Sequence, residues 1–217
     1  MTPRLQELLD AGKEALLPVC ERGRLSELLA DAPAGARALG DLLSIKNGFY
    51  AFESALLVRP LTHRGVPLGI AEWNAPVLWK YEYEGSLDGF LCFAEDVFGG
   101  QFALGRDAVV AIDPETGESE DVAKTLEEWA DVVLGDSSYR TGYPLAHDWQ
   151  RQHGPLSVGH RLLPQVPFVT GGKFVLENLY STTDVEGMRF RGSVARQIRD
   201  VPDGGHVAFE VKPTRES

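Results

Sequence analysis

The chain has 217 residues, 43% of them hydrophobic, with ten Phe, six Tyr and four Trp, and a formal net charge of −11. This supply of apolar side chains suits one domain, or one domain with an appendage, and excludes a disordered chain. The acidic balance argues against nucleic acid as a direct ligand, because phosphate binding needs surplus Lys and Arg.

Thr2-Pro3 reads as an N-cap with Pro at the first helical position, followed by Leu5, Leu8, Leu9 and Leu16 at helical spacing. Polar residues interrupt every apolar pair of the first ten, so no signal peptide is expected. No apolar run approaches the roughly 20 residues that span a bilayer. Cys20 and Cys92 stand alone without a CxxC spacing, which fits buried thiols in a reducing compartment. A cytoplasmic protein with no membrane partner is the expectation. A second helical stretch runs from about Leu25 to Lys46, broken around Asp31–Gly35 and stopped by Asn47-Gly48. Residues 48–60 are apolar and partly alternating, compatible with either class. Trp73 to Tyr83 reads as a capped helix, with Asn74 as cap and Pro76 in the first turn.

From Phe90 the pattern changes to short strands at 90–94, 100–104 and 108–112, and Asp113-Pro-Glu-Thr-Gly117 forms a turn. Thr125 to Leu134 is an amphipathic helix whose Thr125 and Glu128 make a capping box, and Gly135 ends it. Beyond Pro144, residues 147–154 suit a linker or short helix. Strands are expected near Pro167–Val169 and Lys173–Glu177, a short helix at Arg189–Asp200, and a strand at His206–Val211.

The charge is focused. Between Glu82 and Asp136 stand fifteen Asp or Glu against Arg106 and Lys124, so this quarter of the chain carries −13 while the remainder carries +2. A focused field steers association with an oppositely charged partner.

Four segments carry a family likeness. They are Leu42-Leu-Ser-Ile-Lys-Asn-Gly-Phe-Tyr-Ala-Phe-Glu53, Phe93-Ala-Glu-Asp-Val-Phe-Gly-Gly-Gln-Phe-Ala-Leu104, the Val109–Glu118 hairpin and Leu126-Glu-Glu-Trp129. Their order resembles the SUKH superfamily, the group that includes bacterial toxin-immunity proteins and a fungal regulator of cell-wall synthesis. The likeness spans roughly residues 25 to 136. It implies an α+β fold, with a mixed or antiparallel sheet flanked by helices, and a binding scaffold without shared chemistry. On this reading residues 1–144 form the SUKH-like domain, and 145–217 are a C-terminal α/β extension packed on it as one unit. The extension's Arg189, Arg191, Arg196 and Arg199 either pack on the acidic core or extend its binding surface.

Several residues invite chemistry. Glu95-Asp96 suits a carboxylate pair for acid–base work or a contact with a partner, but the preferred reading is that it ends a strand and binds N–H groups of the following turn. Phe98 to Gly105 holds three glycines without the helix and Lys of a phosphate cradle. Asp113 to Asp121 fails the EF-hand spacing, with Lys124 where the twelfth-position Glu belongs, so solvated charge on a hairpin is favoured. His147, His153 and His160 lack the spacing of a metal site. No metal or other cofactor is expected. Trp73, Trp79 and Trp129 read as core, although an aromatic exposed at the rim of the acidic surface would be an interface anchor.

The leading expectation is a non-enzymatic immunity protein that neutralises a cognate bacterial toxin, a nuclease being one candidate, by blocking its active surface. Its partner would be a basic protein, met by Glu115, Glu118, Glu120, Asp121, Glu127, Glu128 and Asp131. The alternatives are a small hydrolase using Glu95 and Asp96 or the histidine-bearing region, and a regulatory scaffold module.

Overall fold

The computed structural model describes residues 2–19, 33, 35–202 and 204–205. Cys20, the expected helical onset at Leu25 and the strand expected at 206–211 lie outside the described residues.

The fold is α+β. Helix α1 (Pro3–Ala11) starts on Pro3, whose fixed φ suits the first turn, and it buries Leu5, Leu8 and Leu9 along one face. Helix α2 (Ala36–Leu43) buries Leu39, Leu42 and Leu43 and ends before Asn47. The Asn47 side chain then ties the chain together, donating to the Pro18 carbonyl at 2.9 Å and accepting from the Leu61 N–H at 3.0 Å.

Six strands follow in an all-antiparallel meander, each paired with the next: β1 (Phe49–Ala51), β2 (Leu56–Val58), β3 (Leu91–Asp96), β4 (Gln101–Leu104), β5 (Val109–Ile112) and β6 (Ser119–Ala123). The three strands expected between 90 and 112 are β3, β4 and β5. The ambiguous stretch 48–60 is the β1–β2 hairpin. Because each hairpin reverses the chain, the turns β1–β2, β3–β4 and β5–β6 all lie at one end of the sheet.

Period-2 alternation divides the sheet's side chains between two cores. Phe93, Phe102, Leu104 and Val109 face α1, α2 and helix α4 (Leu126–Gly135). There Trp129 meets Phe93 and Phe102 edge-on at 4.9 and 5.6 Å, contacts that contribute about 0.5–1.5 kcal/mol each beyond burial. Thr125 caps α4 by accepting the Glu128 N–H at 3.1 Å. Cys92, Ala103, Val110 and Ile112 face the opposite layer, built from helix α3 (Ile70–Trp73), a 3-10 turn (Lys80–Tyr83) and the C-terminal helix. Burial pushes the Cys92 thiol up to about 11, so it is inert core.

After α4 come helices α5 (Ser137–Thr141) and α6 (Tyr143–His153), the hairpin β7 (His160–Pro164) with β8 (Leu179–Thr183), and helix α7 (Asp184–Ile198). A third apolar cluster of Val97, Trp149, Leu156, Leu162 and Leu179 binds α6 and the β7–β8 hairpin to the β3–β4 turn. Helix α7 adds Met188 and Ala195 to the second core. It approaches closely because Gly192 has no side chain: a Cβ there would lie 2.5 Å from Glu82 Cβ.

Three expectations are corrected and one alternative is decided. Asn74 does not start a helix but ends α3, and its amide bridges that end to β3 through the Cys92 carbonyl at 2.7 Å and N–H at 2.9 Å. The region 167–177 holds two 3-10 turns, Phe168–Thr170 and Leu176–Asn178, with the strands on either side of it. Of the linker or short helix expected at 147–154, the helix is found: 147–153 belong to the 11-residue α6, and Gly154 follows its end. The helix expected from 189 begins at Asp184, where Thr183 caps it by accepting the Glu186 N–H.

Candidate functional site

The turn end of the sheet is open. The β3–β4 turn, the β5–β6 turn, α5, the start of α6 and the loop between β7 and β8 surround a cleft of about 800 Å³. Its floor is built from Asp96, Glu115 and Arg191, its wall from Phe98, Phe168 and Phe174, and its mouth from Glu118, Glu120, Asp148, Tyr139 and Arg140.

Asp96 ends β3 and holds the turn, as expected for a strand-ending carboxylate. Its Oδ1 accepts the N–H groups of Phe98 at 2.7 Å and Gly100 at 2.8 Å. Burial nevertheless pushes Asp96 up to about 7, outweighing those bonds and nearby Arg191. Gly99 is required here. Its φ is +79°, and a Cβ would lie 2.6 Å from Arg191 Nη1.

Glu115 is 3% exposed. Its Oε2 accepts the Val169 N–H at 2.8 Å, fastening the β7–β8 loop over the floor. Its Oε1 stands 3.8 Å from Arg191 Nε, and neither atom has a hydrogen-bond partner. Burial pushes the Glu115 carboxyl up and the Arg191 guanidinium down, because the gap leaves each charge only partly compensated.

The aromatic wall is a stacked pair with an edge against it. Phe168 and Phe174 lie 3.8 Å apart at 10°, and Phe98 meets them at 5.6 and 5.7 Å. Phe174 is 62% exposed and Tyr139, across the mouth, 75%. Arg140 lies 5.2 Å from the Tyr139 ring centre and 3.3 Å from Glu120 Oε1. Altogether six carboxylates line the cleft against two guanidiniums.

Glu95, one residue before Asp96, has another fate. It is fully buried between Arg59 Nη2 at 2.9 Å and Arg161 Nε at 2.7 Å, with the Gln101 amide donating at 3.1 Å. Arg59 also pairs with Asp184 at 2.9 Å and lies over Trp73, its guanidinium carbon 3.4 Å from the ring centre. Burial pushes the Glu95 carboxyl up, but Arg59 and Arg161 outweigh it and hold Glu95 below the usual carboxylate range. Glu95 joins β3 to the start of α7 and has no access to the cleft.

No protein-family model matches the chain, and no curated protein matches it. Among solved structures, the crystal structure of Atu4351 from Agrobacterium tumefaciens is similar, with a TM-score of 0.56 and 13% identity over 88% of each chain. At that identity the likeness concerns the fold alone.

The seven acidic residues expected to face a partner do not all line this cleft. Glu118 and Glu120 reach the cleft mouth, and Glu115 is sealed in its floor. Asp121 follows Glu120 on β6, where alternation turns it away, and it pairs with Lys124 at 3.5 Å. Glu127 and Asp131 on α4 engage Arg4, through its backbone N–H at 3.1 Å and its side chain at 2.8 Å. Glu128 accepts the Lys124 N–H at 2.8 Å within its cap. Charge alone could not separate these roles, since helix capping and α1–α4 docking use the same residue types as a binding face.

The histidines also separate. His147 binds Glu53, His153 stacks on Trp149, and His160 meets Ser181. The basic cluster of α7 packs on the acidic core: Arg196 pairs with Glu82 at 2.8 Å, Arg199 with Glu84 at 2.7 Å, and Arg191 approaches Glu115. Tyr139, Arg140, Asp148 and Phe174 carried no periodic signal in the sequence. An exposed aromatic beside the acidic hairpin was the only available cue, and exposure is settled by folding.

Proposed function

We propose that the chain is a non-enzymatic binding protein that receives a basic protein partner at this cleft, in the manner of an immunity protein that blocks a bacterial toxin in the cytoplasm. The observation that carries the reading is the cleft's chemistry: six carboxylates against two guanidiniums, around aromatic faces left open at the mouth. Arg196 and Arg199 pair with Glu82 and Glu84, while Glu118, Glu120 and Asp148 stand at the mouth with Arg140 as the cation beside them. A nuclease toxin would present the complement, since its phosphate-binding groove is basic. Charge would steer the encounter, while Tyr139 and Phe174 would supply the desolvated contacts that slow dissociation. Blockade of this kind needs no chemistry from the chain.

The test is kinetic. Against a purified toxin domain encoded beside this chain's gene, Glu118→Lys with Glu120→Lys should lower the association rate at least about tenfold at low salt. An unchanged rate, or no binding by the unaltered chain, removes the reading.

One observation favours a second reading. A carboxyl that takes up its proton near neutrality, as Asp96 does beside Glu115 and Arg191, is suited to general acid catalysis. The hydrolase expectation thereby narrows to Asp96, because Glu95 is sealed and the histidines do not converge. Turnover of ester or glycoside substrates that Asp96→Asn abolishes would shift the function to this reading.

A further inference from the structure

At the mouth, the chain already holds a cation against its own acidic and aromatic groups. Arg140 lies on the one-turn helix α5, next to Tyr139 in sequence, and its guanidinium carbon is 5.2 Å from the Tyr139 ring centre. Its Nη1 meets Glu120 across the mouth through a single contact of 3.3 Å, longer than a charge-assisted hydrogen bond usually is. The contact is partly exposed, with 68% of the Glu120 side chain and 26% of the Arg140 side chain in solvent. Such a pair is worth little and exchanges readily. Deeper in the cleft, Glu115 Oε1 lacks a hydrogen-bond partner although its side chain is more than nine-tenths buried. The cleft thus holds, below this guanidinium, a carboxylate that Arg191 compensates only at 3.8 Å.

We propose that the mouth is an arginine-reading slot and that Arg140 is its resident occupant, displaced when an arginine of the partner enters. This rests on the reading of the cleft as the site of a basic partner, and it names the chemistry recognised. A planar guanidinium can stack on the Tyr139 ring while forking to Glu120 and Glu118, which the compact ammonium of lysine cannot do. The contacts of Arg140 with Tyr139 and Glu120 supply part of this arrangement within the chain, with the fork to Glu118 unfilled. By occupying it, Arg140 raises the threshold for binding and favours partners that can replace a guanidinium with one better placed.

The proposal fixes the sign of a substitution. Fluorescence anisotropy would follow the binding of labelled nona-arginine and nona-lysine peptides to the full chain at two salt concentrations. The unaltered chain should bind the arginine peptide more tightly than the lysine peptide. Arg140→Ala should tighten arginine-peptide binding about two- to fivefold, the range that release of an exposed pair allows. Arg106→Ala makes the same charge change away from the cleft and supplies the baseline for net charge. Tyr139→Ala should erase the preference for arginine while leaving lysine-peptide binding nearly unchanged. If Arg140→Ala weakens arginine-peptide binding, or tightens it no more than Arg106→Ala does, the resident-occupant proposal is wrong although the cleft can still be the site. If Glu118→Lys with Glu120→Lys leaves binding of both peptides unchanged, the cleft reading itself falls. Thermal unfolding of each variant would check that the fold stays intact.

Discussion

Two arginine–carboxylate assemblies stand side by side in this molecule, seeded by neighbouring residues of one strand. Around Glu95, Arg59 and Arg161 approach to 2.7–2.9 Å and Gln101 adds a further donor. Around Asp96, Arg191 and Glu115 remain 3.8 Å apart, and each keeps an atom without a hydrogen-bond partner. The first assembly is closely paired and closed to solvent, although Arg59 Nε and Arg161 Nη2 lack partners, and its charges join β3, β7 and α7. The second is paired only at 3.8 Å and borders a cleft. Residue type does not distinguish the two, nor does the count of unpaired atoms; pairing distance and nearness to the cleft do.

The sharpest way to break this comparison is to remove the centre of the closed assembly. Glu95→Ala leaves Arg59 and Arg161 buried without their shared carboxylate, and it should destabilise the fold by about 3–5 kcal/mol. Denaturant unfolding measures this directly, and a loss under about 1 kcal/mol would show that the cluster is not the joint described. Glu115→Gln should cost far less, about 1 kcal/mol, because the amide oxygen can still accept the Val169 N–H and the lost ion pair is a long one. Equal losses at the two positions would erase the distinction.

The smallest effect is read as a slope. Asp96 is raised from the unfolded range near 4 to about 7, so the folded state holds the proton that the unfolded state has lost. Its favourable contribution is complete below about pH 4 and fades as pH rises through 7. Asp96→Asn keeps the oxygen that accepts from Phe98 and Gly100 but cannot titrate. It should flatten the fall in melting temperature between pH 5 and about pH 8, and an unaltered slope would place the proton elsewhere.

Much of the framework was legible in the chain. Short apolar runs separated by turns at 90–112 became β3, β4 and β5, because strands covered on both faces are apolar almost throughout. Thr125 and Glu128 marked the start of α4 because capping is a local interaction. Trp73, Trp79 and Trp129 are fully buried, as their neighbours implied. The C-terminal third was harder to read. Helix α6 carries few apolar residues, and β7 and β8 pair only with each other, so neither made a strong periodic pattern. Asn74 has the chemistry of a cap at either end of a helix, and the approach of β3 decided which.

The sequence by itself determined the three central strands, the capped helix at Thr125 and the concentration of negative charge, because periodicity, turn chemistry and composition act over short stretches of chain. Only the tertiary structure decided where that charge is spent. Arg196 and Arg199 of α7 neutralise Glu82 and Glu84, Arg4 takes up Asp131, and Glu115 is drawn into the floor, while Glu118 and Glu120 are left at an aromatic mouth. A carboxylate's role follows from its distance to a cation and its access to water, and both are set by residues remote in the chain.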